Sequence, residues 1–115
     1  MICPRIEAIE MISADAPFPV ATWTILVDPI EKPLCIMRFT NTSDTDILLS
    51  YDYDKVHLYA RDVVPAGSFI DLNFQNNAPH STDACFGQGK PIYYYALAAG
   101  KGGSLYFSGY TFIKD

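Results

Sequence analysis

Short runs of β-branched and aromatic residues, each cut off by Pro, Gly, Asn or Asp, follow one another from Arg5 to Ile113. Breaks at this spacing, about every 8–12 residues, leave no room for an average helix and fit the strands of a sandwich or jelly roll. No window of helical length keeps apolar residues at i, i+3, i+4 and i+7 without turn formers or strand-favouring residues. The expected fold is all-β: one antiparallel β-sandwich, jelly-roll or Ig-like, of about eight strands. It is expected as a single domain over residues 1–115, with residues 1–20 an extended N-terminal strand or arm.

The runs can be placed one by one. Arg5–Ile12 alternates but slips by one near Ala8 and Ile9, as a bulge would make it do. Pro17 and Pro19 then fix an extended connector. Ala21–Val27 sets Trp23, Ile25 and Val27 on one face. In Leu34–Thr40, Met37 and Phe39 oppose Ile36 and Arg38. The six polar residues Asn41–Asp46 are turn formers that can bond their own backbone, so Leu34–Tyr51 reads as a hairpin. Val56–Val64 and Ser68–Phe74 read as a second hairpin around Pro65-Ala66-Gly67, with Gly67 at a position that disfavours a Cβ. Gln75–Gly89 reads as the longest loop. Pro91–Ala98 and Ser104–Ile113 make a third hairpin around Gly100–Gly103. Phe39, Ile47, Leu49, Phe69, Leu72 and Ile92 are the expected core.

Half the residues are apolar, which excludes a disordered chain. Charged residues are only 18%, below the ~25% usual for soluble domains. Net charge is −5 with Lys and Arg scattered singly. A nucleic-acid groove needs clustered cations and a membrane surface needs a basic amphipathic stretch, so neither is an expected partner. The first residues lack the long apolar stretch of a secretory signal. Cys3, Cys35 and Cys85 are odd in number and far apart, unlike a disulfide framework or a zinc site. The expectation is synthesis in a reducing cytoplasm.

No constellation supports catalysis. His80, Ser81 and Asp83 are neighbours in one loop, whereas a triad gathers separate elements around an oxyanion hole. His57 reads as a surface or partner-contacting histidine within a strand. Asp44 with Asp46, and Asp52 with Asp54, lack the Gly and distal Glu of a calcium loop and serve turns equally well. The glycines of residues 87–90 and 100–103 lack phosphate-loop spacing and a following helix. The sequence therefore predicts no enzyme, catalytic residue, metal or cofactor. The tyrosines are the exception to this blandness. Consecutive aromatics on a strand face opposite ways, so some of Tyr93, Tyr95, Tyr106 and Tyr110 must leave the core. Tyrosine suits an interface, apolar in its ring and wet at its hydroxyl. These four are the candidate interface, and a homo-oligomer is expected.

Three stretches, IMRFTNTSDTDILLSYD at 36–52, VPAGSFIDL at 64–72 and GSLYFSGY at 103–110, resemble small virion-associated proteins of tailed bacteriophages. The resemblance covers about two thirds of the chain. It implies a non-enzymatic virion structural protein, such as a capsid decoration, head-tail adaptor or tail accessory. Such a protein is made in the host cytoplasm, located in the virion, and partnered by itself and other virion proteins. The alternative from the residues alone is a carbohydrate- or receptor-binding β-sandwich module, with Trp23 and tyrosines stacking on sugar rings.

Overall fold

A computed structural model describes residues 5–28, 30–32, 34–51, 60–73 and 90–113. Nine strands lie in these segments: β1 (Arg5–Ala8), β2 (Ile12–Asp15), β3 (Thr24–Val27), β4 (Ile36–Asn41), β5 (Ile47–Ser50), β6 (Asp62–Val64), β7 (Phe69–Asn73), β8 (Ile92–Ala96) and β9 (Ser104–Ile113). One sheet, called here sheet A, has the order β1-β9-β4-β7, with β2 also on β9. The other, sheet B, has the order β3-β8-β5-β6. All these strand pairs are antiparallel. From β2 onward, every connection except β5–β6 passes from one sheet to the other, which is jelly-roll connectivity.

That connectivity corrects three sequence readings. β4 and β5, β6 and β7, and β8 and β9 are not hairpins, because each pair divides between the two sheets. A hairpin and a corner both need a polar, glycine-tolerant reversal between alternating strands. What separates them is where the next strand finds its partner, a long-range matter. The slip near Ala8 and Ile9 is real. Ala8 pairs with Tyr110 and Ile12 with Phe107, so this edge holds one residue more than β9 opposite it.

The core lies between the sheets. Phe39, Ile47, Leu49, Val64, Ile92, Leu105 and Phe107 are fully buried, and Phe39 and Phe107 meet with centroids 5.1 Å apart. Four of the six expected core residues are among the fully buried, and Leu72 packs against them partly buried. Phe69 does not join them: it is 56% exposed. It pairs with Thr40, on the outward side of β4, so alternation along β7 gives the core Ile70 and Leu72 instead. The expected face of Trp23, Ile25 and Val27 is also broken. The register against β8 shifts between Ile25 and Val27, which turns Val27 into the core while Ile25 stays 52% exposed.

Candidate interaction surfaces

Asn41–Asp46 ties one end of the sandwich together. Asn41 is 1% exposed, and its amide makes every bond it can. Nδ2 donates to the carbonyls of Thr45 (2.8 Å) and Val64 (3.0 Å), while Oδ1 accepts from the Ser43 amide and hydroxyl. The Asn41 backbone amide donates to Ser68. Asp46 accepts from the Ala66 amide (2.9 Å), Asp44 from the Lys101 amide (3.0 Å) and Thr45 Oγ1 from the Ala98 amide (3.1 Å). Thr42 exchanges bonds with Ser104. The segment therefore holds the β6–β7 and β8–β9 connections, and Asp44 and Asp46 serve as turn anchors. Among the described residues, no three His, Cys, Asp or Glu side chains gather as metal ligands.

The glycines of the same end have structural uses. Gly67 has φ +71° in a turn closed by the Ser68 amide on the Pro65 carbonyl, a conformation that glycine adopts without steric cost. Gly103 has φ +90°, and a Cβ there would lie 2.5 Å from the Thr42 carbonyl oxygen. His57, His80, Ser81, Asp83, Asp52, Asp54 and residues 87–89 lie outside the described residues. At the far end, a cleft of about 340 Å³ is lined by Ile9, Ile12, Leu26 and Leu34 with Glu10 and Glu31.

The tyrosines divide between two surfaces. In β8, Tyr94 turns inward, meeting Phe18 edge-on with centroids 6.0 Å apart, and burial raises its phenol pKa. Tyr93 and Tyr95 therefore point to the outer face of sheet B. Tyr93 is 6% exposed, while Tyr95 is half-buried beneath the tilted ring of Trp23, 5.2 Å away. Tyr106 and Tyr110 alternate with the buried Leu105 and Phe107, which puts them on the outer face of sheet A. The four candidates thus stand on opposite sides of the sandwich and do not form one patch.

The two outer faces differ in chemistry. On sheet A, Arg38 grips Asp71 with two bonds, Nε to Oδ1 at 2.6 Å and Nη2 to Oδ2 at 2.8 Å. Its guanidinium also lies 4.8 Å from the centre of the exposed Phe69 ring. Arg38 holds the Asp71 carboxyl below its ordinary pKa, through the hydrogen bond first, with burial opposing it and the charge of Arg38 adding to it. On sheet B, Ile25 pairs with Tyr93, and Tyr95, Leu48 and Val63 form a continuous cross-strand row with Trp23 over Tyr95. The sequence does not single out Ile25, Leu48 or Val63 as surface residues, because an apolar strand residue looks the same whether it faces in or out. Their alternation with Leu49 and Val64 became informative only once the inward side was known.

No protein-family model matches the chain, and no curated protein matches it either. In fold, it is similar to a protein of Bacillus endospore appendages, a novel family of disulfide-linked pili, with a TM-score of 0.52 and 14% identity. The match covers 97% of this chain and 92% of that one. At this identity the likeness is one of fold. It corrects the resemblance to bacteriophage virion proteins, together with the virion location, the synthesis in a host cytoplasm, the decoration, adaptor and tail roles and the virion-protein partners drawn from that resemblance: the similar structure belongs to a bacterial appendage. The stretches that carried the resemblance are β4–β5, β6–β7 and β9, with residues such as Asn41 and Gly67 that serve the corners of the fold.

Proposed function

We propose that this chain is a non-enzymatic structural subunit that works by binding other protein surfaces, copies of itself first. The observation that carries this reading is apolar exposure on both outer faces. Antiparallel sandwiches commonly turn polar residues to water there, yet Ile25, Val63, Phe69 and Tyr110 are all exposed. The low share of charged residues agrees. So does the fold likeness to an appendage protein whose pili are disulfide-linked. Links between copies are part of the reading, and since Cys35 is fully buried, Cys3 and Cys85 are the cysteines to make them.

Sedimentation velocity from 1 to about 100 μM, with electron microscopy of the same samples, tests the reading over the range where a standard-sized interface of moderate affinity would be populated. A defined oligomer or a polymer is expected. Non-reducing gels of Cys3→Ser and Cys85→Ser, beside the unaltered chain, then report whether copies are covalently linked. A strict monomer throughout, with no cross-linked species, overturns the proposal.

A further inference from the structure

We infer that copies of this chain join head to tail, the exposed apolar tip formed by Val20 and Leu97 at one end of the sandwich entering the cleft at the far end of the next copy. This rests on the self-association proposed above and names the two surfaces that meet. Val20 is 49% and Leu97 55% exposed. They are neighbours because Val20 makes a parallel bridge with Ala96, and backbone bonds fix both in place. The Ala21 amide donates to the Ala96 carbonyl (3.2 Å) and the Leu97 amide to the Asp46 carbonyl (3.3 Å). A tip held this way has little freedom left to lose on binding. The cleft is its opposite in shape. Leu26, Val27, Ile30 and Leu34 line it and belong to the core between the sheets, with Ile9 and Ile12 partly buried beside them. Its volume of about 340 Å³ falls in the range of pockets that enclose a small ligand, roughly 300–1,000 Å³. Aliphatic side chains from a neighbour would extend the core there.

Shape and charge select the occupant. Tip and cleft lie at opposite ends, since β3 and β8 are antiparallel, with Leu97 following β8 and residues 28–34 following β3. Beside the tip, the β8–β9 connection carries Lys101, and the mouth of the cleft carries Glu10 and Glu31; all three are exposed. None of these charged groups has a side-chain partner among the described residues, whereas Asp28, a further carboxylate of the mouth, already interacts within the chain. The signs match in the other direction too: Lys32 at the mouth would meet an end that bears Asp44 and Asp46. An apolar centre with a complementary polar border is the anatomy of a specific interface. A contact between like ends has neither property. Two clefts cannot fill each other and would bring the Glu10 and Glu31 carboxylates of both copies together, and two tips leave the clefts empty. Joining unlike ends of identical copies is a heterologous contact, which builds an open chain unless its rotation closes into a ring.

The test uses the full chain. Val20→Asn/Leu97→Asn disables the tip without altering charge. Glu10→Lys/Glu31→Lys disables the mouth and lowers the net negative charge, so neither variant can lose association through stronger overall repulsion. All four positions are exposed, and circular dichroism melts establish that each variant is folded. Sedimentation velocity should show association at least tenfold weaker for each variant alone. An equimolar mixture of the two keeps one working tip and one working cleft, and should form a one-to-one heterodimer that grows no further. Where a double variant fails to fold, Leu97→Asn or Glu31→Lys takes its place under the same criteria. If the unaltered chain associates and either folded variant associates equally well, these ends are wrong while self-association stands. A mixture in which both variants stay monomeric overturns the head-to-tail arrangement in the same way. A chain that never associates removes both proposals.

Discussion

Phe39 and Phe69 have the same side chain one strand apart, and the pleat sends them to opposite environments. Phe39 lies between the sheets with no exposed surface, whereas Phe69 is 56% exposed and lies against the Arg38 guanidinium on the outer face. Phe39→Ala should therefore cost about 3–5 kcal/mol, through lost transfer energy and the cavity left behind. Phe69→Ala should cost under about 1 kcal/mol, as exposed positions do. Urea titrations of the two variants check the contrast, and equal losses would mean that the faces of β7 are assigned the wrong way round. The Arg38–Asp71 pair is a surface interaction whose effect depends on pH. Asp71 has a folded-state pKa below its ordinary value of 3.8, so the charged carboxylate favours folding above that value. This contribution disappears as pH falls through the lowered folded-state pKa. The melting temperature of Asp71→Asn should lie below that of the unaltered chain at pH 7, and the gap should close towards pH 2. A gap that does not change with pH would show that the pair adds nothing through charge. Tyr51 differs, being fixed neutral: burial and its 2.7 Å bond to Asp62 raise its pKa.

At the scale of elements, the Asn41–Asp46 connection is the structural centre of its end of the sandwich. Removing the Asn41 amide leaves the Thr45 and Val64 carbonyls and the Ser43 amide without this partner, all at a buried site. Asn41→Ala should therefore destabilise the fold by at least about 2 kcal/mol. Gly103→Ala should cost about 1–3 kcal/mol, since its φ is strained for alanine and the new methyl group meets the Thr42 carbonyl. Gly67→Ala should cost only about 1 kcal/mol, because it faces open space and only its positive φ opposes the change. Thermal melts that rank Gly67→Ala as the more damaging of the two would contradict the packing described at this end. Gly67→Val should exceed Gly67→Ala, since a β-branched residue resists positive φ most.

The molecule as a whole is assembled from long-range pairings. Among the described strands, only β5 and β6 are both consecutive and hydrogen-bonded, while β9 at the end of the chain holds β1, β2 and β4. Such a topology must close long loops before it gains native contacts, so folding should be slow, in milliseconds to seconds. Stopped-flow refolding followed by Trp23 fluorescence checks this, and a transition complete within microseconds would be incompatible with the topology. The same long-range closure marks what local sequence can decide. Alternation in residues 36–40 and 104–113, and turn chemistry at Asn41–Asp46 and Gly67, determine that these stretches are strands and reversals, because pleat and φ are properties of neighbouring residues. Those signals were legible, and with them the all-β class, the core positions Phe39, Ile47, Leu49 and Ile92, and the strand boundaries of β9. Whether a reversal makes a hairpin or a corner depends on a partner strand tens of residues away. So does which side of β7 faces inward, and whether Tyr93 and Tyr110 share a surface. Burial is a relation between two sheets, and only their packing settled that Ile25, Leu48 and Val63 lie outside while Ile47, Leu49 and Val64 lie within.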